Sequence, residues 1–361
     1  MNKNCRVVFS FLLVFFVSIA FINFVPTSAK ADQKIITWKM QSIAPPGTYL
    51  DVAINNFVET VKVMSQGRLN IEHFPPGSLV SPFEAMSALK NGILDAHWGY
   101  PAMWSGLNES ASLFNSVPGG FLAQDALMWV KKGGGIELWN EMLAPYNVHI
   151  IPCGLIGMEV FMWSNKKIET IDDMKGLKLR IMPIMGDILS ANGLSVTFLS
   201  ASEIIPGLER KVIDAAEFSI PAFDITLGFP DVTKYYHYPG IHQPASVLEL
   251  AIGKKSWEAL PDDLKKIVNY AADLSILRIW TDSEADNINT LEKLHKMGLE
   301  QVDMNSEAVK TMVEWSEEWM TKKAQKNEFF KKVRKSQIDF AKWWYPYKTA
   351  TSIPVPKWAL E

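Results

Sequence analysis

The stretch IITWKMQSIAPPGTYLDVAINNFVETVKVMSQGRLNIEH at residues 35–73 decides the fold prediction, because it alternates apolar runs of strand length with a helical pattern. The pattern continues to residue 98, and Pro-Pro-Gly turns separate the segments. The predicted elements are a strand at 35–41, a helix at 49–64, a strand at 69–73, a helix at 82–91 and a strand at 94–98. Such a βαβαβ unit is expected to bind ligands in the crevice at its strand ends.

A second group of short strands and helices follows, and the last hundred residues are mostly helical. Residues 247–252 form an apolar run that is predicted to cross back to the first group. The expected fold class is therefore α/β, with two lobes, crossing strands between them and a long helical C-terminal region. The predicted domains are a signal peptide at 1–31, a first lobe at 32–155 joined by 245–260, a second lobe at 156–244 and a helical region at 261–361.

The N-terminal segment has the pattern of a secretory signal peptide. Lys3 and Arg6 precede an apolar run at 7–25, and Ala29-Lys30-Ala31 provides an A-x-A cleavage site. Cleavage there would release a chain that begins at Asp32 into the periplasm. The alternative is an uncleaved membrane anchor, since the apolar run approaches the length of a bilayer span.

Composition narrows the class of protein. Removing residues 1–31 leaves 33 basic and 39 acidic residues, a net charge of −6, which argues against binding to nucleic acid. Cys153 is the one cysteine that remains, and a lone thiol in an apolar run is typical of an inert core residue. The thirteen tryptophans and nineteen phenylalanines fit a large core and an aromatic-lined pocket.

The common catalytic motifs are absent from the sequence: it contains no Walker loop, no G-x-S-x-G elbow and no H-E-x-x-H helix. His237 and His242 flank a Pro-Gly turn, but a zinc site there would need further ligands. If the chain were a secreted lyase or hydrolase acting on an organic acid, His97 and Glu217 would be the candidate bases.

Arg180 is the strongest candidate binding residue. It lies near the carboxyl end of a predicted strand that Pro183 ends, and its guanidinium offers a planar fork that matches a carboxylate. Glu217 ends the apolar run 213–218, and such an acid would repel a bound anion unless a cation bridged the two. Hard cations such as sodium or calcium take oxygen ligands, and Glu159 and Gln243 are further oxygen donors.

Several stretches together make the chain resemble the extracytoplasmic solute receptors of tripartite ATP-independent periplasmic (TRAP) transporters, the DctP family, of the type that binds 2-oxo acids. The resemblance covers nearly all of the chain after the signal peptide. The stretches that carry it are Trp38–Ser42, Phe74–Val80, Lys175–Arg180, Ile213–Phe218 and Tyr235–Pro244.

The resemblance implies a two-lobed receptor that closes on its ligand, with Arg180 gripping the carboxylate. It also implies a metal ion that bridges ligand and protein, held at the positions of Glu159, Glu217 and the carbonyl of Phe218. This sequence has Glu159 where the family has glutamine, and Gln243 where the family commonly has glutamate. If both positions face one ion, the exchange leaves the charge of the site unchanged.

We expect Tyr100, Trp104 and Phe218 to form the walls of the pocket. Met103-Trp104 stands where the family has an aromatic pair, and the family's tyrosine and lysine there are lost, which suggests a different or more apolar substrate. The predicted partners are a small carboxylate, the small and large TRAP membrane subunits and a second copy of the chain in a homodimer. A soluble sensor that hands its ligand to a signalling receptor would have the same fold.

Overall fold

The computed structural model describes residues 35–359, and the predicted signal peptide lies outside the described residues. Two sheets and a set of helices make up this part of the chain. The strands are β1 Ile36–Ser42, β2 Leu69–Phe74, β3 Ala96–Gly99, β4 Val148–Ile156, β5 Met162–Ser164, β6 Lys178–Arg180, β7 Ser195–Thr197, β8 Ala215–Ala216, β9 Tyr235–Tyr238, β10 Ser246–Gly253 and β11 Glu300–Asp303.

Helices cover both sheets and make up most of the C-terminal region. The α-helices are α1 Tyr49–Met64, α2 Ala85–Asn91, α3 Ser112–Asn115, α4 Ala123–Lys132, α5 Gly135–Leu143, α6 Ile171–Met174, α7 Pro183–Ala191, α8 Ala201–Glu209, α9 Pro221–Leu227, α10 Phe229–Val232, α11 Lys254–Glu258, α12 Asp262–Lys296, α13 Ser306–Lys326 and α14 Glu328–Ala350. Short 3₁₀ turns lie at Pro82–Glu84, Pro101–Trp104, Glu109–Ala111, Ala144–Tyr146 and Lys357–Ala359.

The first sheet has the strand order β2-β1-β3-β10-β4 and forms the first lobe. Strands β1, β2 and β3 are parallel, as the predicted βαβαβ unit requires, whereas β10 runs antiparallel between β3 and β4. Strand β10 therefore returns to the first sheet from the second lobe, which confirms the predicted crossing strand. Cys153 lies fully buried in β4.

The second sheet has the order β11-β9-β5-β8-β6-β7. Its strands β6, β7 and β8 are parallel, with Arg180 paired with Thr197 on one side and Ala216 on the other. Carboxyl ends of parallel strands meet at one edge of a sheet, so Arg180 and the residue after Ala216 lie side by side. Strand β11 comes from the helical C-terminal region, which thus completes the second lobe as well as bracing it.

The fold is the two-lobed α/β architecture with a helical C-terminal region that the sequence predicts. Helices α1 and α13 have the predicted ends, while α14 extends six residues beyond the predicted Trp344. Helices α4 and α5 and strand β9 were not predicted. Within residues 35–359, no helix combines the length and apolar character needed to cross a bilayer.

Candidate functional site

Arg180 lies at the centre of the candidate site and is almost fully buried, with 3% of its surface exposed. Its Nε–H donates to the carbonyl of Leu199 at 3.1 Å, and Nη1 donates to the carbonyl of Glu217 at 2.6 Å. Nη1 also donates to the Glu217 carboxylate oxygen Oε1 at 3.0 Å. These bonds hold the plane of the guanidinium against the ends of β6 and β8, because both Arg180 and Glu217 are anchored by strand backbone.

Two aromatic rings lie near this guanidinium. Its Cζ is 5.6 Å from the ring centroid of Phe218 and 5.5 Å from that of Phe198. Phe218 in turn stacks on Phe223 at 5.8 Å. Such cation–π contacts further restrict the orientation of the arginine. Phe198 was missed by the sequence reasoning; its position directly after β7, beside β6, is the signal that could have found it.

A second group of side chains faces Arg180 and Glu217. Gln243 donates its side-chain amide to Oε1 of Glu159, and the ring nitrogen Nε2 of His242 lies 3.3 Å from Oε2 of the same carboxylate. Nε2 is also 3.8 Å from Oε2 of Glu217. The structure therefore brings the candidate residues Arg180, Glu217, Glu159 and Gln243 close together, with His242 beside them.

Burial dominates the electrostatics of this cluster. It raises the pKa of Glu159 to about 8, although the Gln243 amide and the Arg180 charge oppose that shift. Burial likewise raises the pKa of Glu217, against the lowering effects of His242 and Arg180, and lowers the pKa of His242. Two buried carboxyl groups with one arginine between them are costly to ionise together, and a bound cation would remove that cost.

The side chains fit a small cation. One ligand atom each from Glu159, Glu217 and His242 lies within 4.8 Å of the others, and all three residues are buried. Oε2 of Glu217 has no hydrogen-bond partner among the described residues, although Glu217 is fully buried. A buried oxygen without a partner is expected where an ion or water completes its contacts. These three residues are the ones that would hold a cation at this site.

His237, the other histidine beside the Pro-Gly turn, does not join this cluster. It accepts a hydrogen bond from the Ile168 N–H at Nε2 and lies 2.8 Å from the Met162 carbonyl at Nδ1. Both ring nitrogens are therefore engaged within the second lobe. The two histidines differ in role because His237 sits inside β9 whereas His242 lies beyond the turn.

Gly240 sets the spacing between this turn and Glu159. A Cβ atom on Gly240 would lie 1.9 Å from the carbonyl oxygen of Glu159 and 2.8 Å from its carbon. Both are backbone atoms, so the clash cannot be relieved by rotating a side chain. Gly240 thus permits the close approach that places Gln243 and His242 beside the Glu159 carboxylate.

We expect Gly240→Ala to destabilise the protein by about 1–3 kcal/mol, as overpacking commonly does, and to weaken ligand binding by moving Glu159. Urea unfolding and calorimetry would measure the two effects. Gly106→Ala is the matched control for stability, because a Cβ there meets no atom within 4 Å; Gly106 lines the pocket, so this control is used for the unfolding measurement alone. Equal stability of the two variants would show that the Gly240 contact is not needed.

A pocket of about 410 Å³ adjoins the cluster. Ala102, Ser105 and Gly106 of the first lobe contribute to one wall, and His242 and Gln243 reach the pocket from the turn. Trp319 and Lys323 of α13, with Phe330 of α14, close a further side. The volume is in the usual range for small-molecule sites. The start of α7 lines the pocket with three apolar residues and one acid: Pro183, Ile184, Met185 and Asp187.

Of the three residues predicted to form the pocket walls, two lie near the cluster and the third lies in the core of the first lobe. Tyr100 is half-buried, and burial together with the nearby Glu159 charge raises its pKa, which places it close to the cluster. Phe218 packs beside Arg180 as described. Trp104, in contrast, is 1% exposed and points into the first-lobe core, where its indole N–H donates to Glu249. The 3₁₀ turn Pro101–Trp104 rotates that ring away while its neighbours line the pocket.

His97, a candidate base, also lies in the first-lobe core. It is fully buried, packs edge-on against Trp104 at 5.5 Å, and burial lowers its pKa to about 4. Like Arg180, Glu159 and Glu217, it does not line the pocket itself. Those three residues contact His242 or Gln243, which do, or contact each other, whereas the ring nitrogens of His97 have no hydrogen-bond partner among the described residues. The geometry therefore gives His97 a packing role.

Glu249 is a fully buried carboxyl group on β10, and burial raises its pKa to about 7 from 4.5. Between pH 4.5 and about 7, Glu249 keeps its proton in the folded chain but loses it in the unfolded chain. The free energy of unfolding therefore falls as the pH rises through this range. A shift of this size corresponds to about 3 kcal/mol. We expect Glu249→Gln to remove that decline and to stabilise the protein at pH 8.

Urea unfolding at pH 5 and pH 8 would test this expectation. Glu137→Gln, on the exposed face of α5, is the control and should keep the wild-type pH dependence. If Glu249→Gln lost stability between the two pH values as steeply as wild type, the carboxyl group would not be protonated in the folded chain.

Comparison with known proteins places the chain in a family. The profile of the DctP family, described as bacterial extracellular solute-binding protein, family 7, matches residues 40–327. The chain belongs to this family. As a DctP-family protein, it belongs to a family of solute-binding receptors. The pocket described above is lined by residues of both lobes.

Individual relatives extend the comparison. The chain is 28% identical over 316 residues to a monocarboxylate 2-oxoacid-binding periplasmic protein of Nostoc sp., covering 88% of this chain and 87% of that one. A TRAP periplasmic solute-binding protein of Colwellia psychrerythraea with bound calcium and pyruvate superposes with a TM-score of 0.82 at 27% identity, covering 88% of this chain and 98% of that chain.

A third related protein carries a different cation. The TRAP solute-binding protein of Pseudoalteromonas atlantica, with bound sodium and pyruvate, gives a TM-score of 0.78 at 27% identity, covering 89% of this chain and all of that one. Related receptors thus bind a carboxylate together with either calcium or sodium.

Proposed function

We propose that this protein is an extracytoplasmic receptor that binds a small carboxylate, a 2-oxo acid or a related acid, together with a cation, and delivers it to a TRAP-type transporter. The observation that carries the proposal is the buried guanidinium of Arg180 at the edge of β6, beside a cluster of two carboxyl groups. Relatives at 27–28% identity that bind pyruvate or 2-oxo acids support the carboxylate class.

The roles of the site residues follow from their contacts. Arg180 pairs with the carboxylate of the ligand, because Glu217 and two backbone carbonyls already hold its guanidinium in one plane. Glu159 and Glu217 hold the cation, which lets a negatively charged ligand approach two acids. Gln243 orients Glu159 through its amide.

Closure of the lobes would convert ligand binding into a signal for the membrane partner. Tyr100 and the pocket residues Ala102, Ser105 and Gly106 come from the first lobe, whereas Arg180 and Glu217 come from the second. A ligand that contacts both groups favours the closed arrangement by its difference in affinity for the two. The small and large TRAP membrane subunits would then recognise the closed form in the periplasm, after removal of the predicted signal peptide.

A carboxylate screen by thermal shift tests this function. The mature protein, residues 32–361, would be mixed with 2-oxo, hydroxy and aromatic acids, with and without sodium and calcium. A ligand at a hundred times its Kd stabilises the fold by about 2.7 kcal/mol, so a clear rise in Tm is expected for 2-oxo acids in the presence of a cation. No rise with any carboxylate under any cation condition would contradict the proposal.

A homodimer is the further part of this proposal. Trp343 and Tyr347 on α14 are 64% and 62% exposed, and Trp358 beyond that helix is 79% exposed. Large exposed aromatic groups on one segment are typical of an interaction surface. Light scattering at micromolar concentration should give twice the monomer mass, and a monomer mass would contradict this part alone.

A further inference from the structure

The imidazole of His242 distinguishes this cluster from an all-oxygen cation site. His242 is 4% exposed, and Nε2 lies 3.3 Å from Oε2 of Glu159 and 3.8 Å from Oε2 of Glu217. Ligand atoms around a zinc ion, each about 2.0–2.2 Å from it, lie roughly 3.3–3.6 Å from one another. The two distances from Nε2 to the carboxylate oxygens are therefore close to the separations that a shared ion would impose.

A simple hydrogen bond from His242 to Glu159 would leave part of this arrangement unexplained. Oε2 of Glu217 would still have no partner among the described residues, although the whole residue is inaccessible to solvent. That oxygen lies 3.8 Å from Nε2 of His242, so an ion held by His242 and Glu159 could also supply the missing partner of Glu217.

The hydrogen bonds around the two carboxyl groups leave one oxygen of each facing the imidazole. Arg180 donates to the carbonyl and to Oε1 of Glu217, and the Gln243 amide donates to Oε1 of Glu159. Oε2 of Glu217 and Oε2 of Glu159 are the oxygens nearest to Nε2 of His242. Two carboxylate oxygens and one imidazole nitrogen therefore lie next to one another.

We propose that this site selects a divalent ion of the zinc class, held by Glu159, Glu217 and His242, with the carboxylate ligand in the fourth position. This inference rests on the proposed function only for that fourth position. Calcium takes six to eight oxygen ligands, whereas one of the three ligand atoms of this cluster is an imidazole nitrogen. An imidazole nitrogen favours zinc and its first-row neighbours over sodium and calcium.

Metal titration of the mature protein after treatment with a chelator tests the proposal. Calorimetry with zinc, manganese, calcium and sodium should give tighter binding of zinc than of calcium by at least tenfold. Cobalt(II), used as a spectroscopic substitute, should give the intense visible bands of four-coordinate cobalt. Tighter binding of calcium than of zinc, or the weak bands of six-coordinate cobalt, would overturn the proposal.

Variants identify the nitrogen ligand. His242→Gln should lower zinc affinity about 10- to 100-fold while changing calcium affinity little, whereas His295→Gln, at an exposed position in the last turn of α12, should change neither. Unchanged zinc affinity in His242→Gln would overturn the assignment. If that variant failed to fold, X-ray absorption at the zinc edge of the wild-type protein would decide between one nitrogen neighbour and none.

The same samples separate this inference from the proposed function. Carboxylate binding is measured in parallel with calcium or sodium present. A protein that binds carboxylates with those ions, but prefers them over zinc, would retain its proposed function and lose only the zinc-class site.

Discussion

Replacing Arg180 with alanine is expected to lower carboxylate affinity by about 2–4 kcal/mol, roughly 30- to 800-fold. The guanidinium is 3% exposed, so solvent screens its charge only weakly. Without it the bound carboxylate would face Glu217 and Glu159 with no fixed positive side chain to balance them. Calorimetry with the best carboxylate of the thermal-shift screen would measure the change.

Two further variants test whether the guanidinium itself causes the expected loss of affinity. Arg180→Lys keeps the charge but loses the planar fork that meets Leu199 and Glu217, so its affinity should fall between wild type and alanine. Arg210→Ala removes an exposed arginine at the end of α8 in the same lobe and should bind like wild type. Unchanged affinity in Arg180→Ala would show that the ligand binds elsewhere.

Replacing Glu217 with alanine is expected to destabilise the fold by about 3–5 kcal/mol, because it leaves Arg180 buried with its counter-charge removed. The carboxylate is fully buried and pairs with Arg180 at 3.0 Å. Urea unfolding in the absence of carboxylates and divalent metals measures this loss. Glu209→Ala, exposed at the end of α8, should cost little.

A double variant distinguishes the loss of the Arg180–Glu217 ion pair from the loss of side-chain packing. Arg180→Met with Glu217→Leu replaces the buried pair by apolar groups, which is often nearly neutral for stability. We expect the double variant to regain most of the stability lost in Glu217→Ala and to bind no carboxylate. A double variant as unstable as Glu217→Ala would mean that the lost packing around β8, and not the unpaired charge, is responsible.

Much of the fold could be predicted because its signals are local. The helix at 49–64 has apolar residues at helical spacing and ends before a Ser-Gln-Gly turn, so the structure and the prediction agree on its bounds. The predicted strand at 213–218 has only two residues in the sheet, Ala215 and Ala216. Its length could not be predicted, because the number of paired residues depends on the neighbouring strands β5 and β6.

Some residues of the candidate site could be identified from the sequence and others could not, for the same reason. Arg180 and Glu217 were identified as candidates because the apolar runs that precede them mark strand ends in an α/β fold. The partner of Trp104 could not be found, because Glu249 is 145 residues away in the chain and reaches it only through strand β10. In the sequence, His237 and His242 are equivalent candidate ligands on either side of a Pro-Gly turn. The structure distinguishes them, because both ring nitrogens of His237 are already engaged in β9.

Local patterns in the sequence were enough to predict the two-lobed α/β class and the helical tail, and to single out Arg180 and the acids Glu159 and Glu217 as candidates, since periodicity and strand ends are local properties of the chain. The folded structure shows in addition that His242 joins Glu159 and Glu217 and that Trp104 faces the core. It also decided that Gly240 brings two distant backbones together. These features depend on contacts between residues far apart in sequence, and chain folding alone sets such distances.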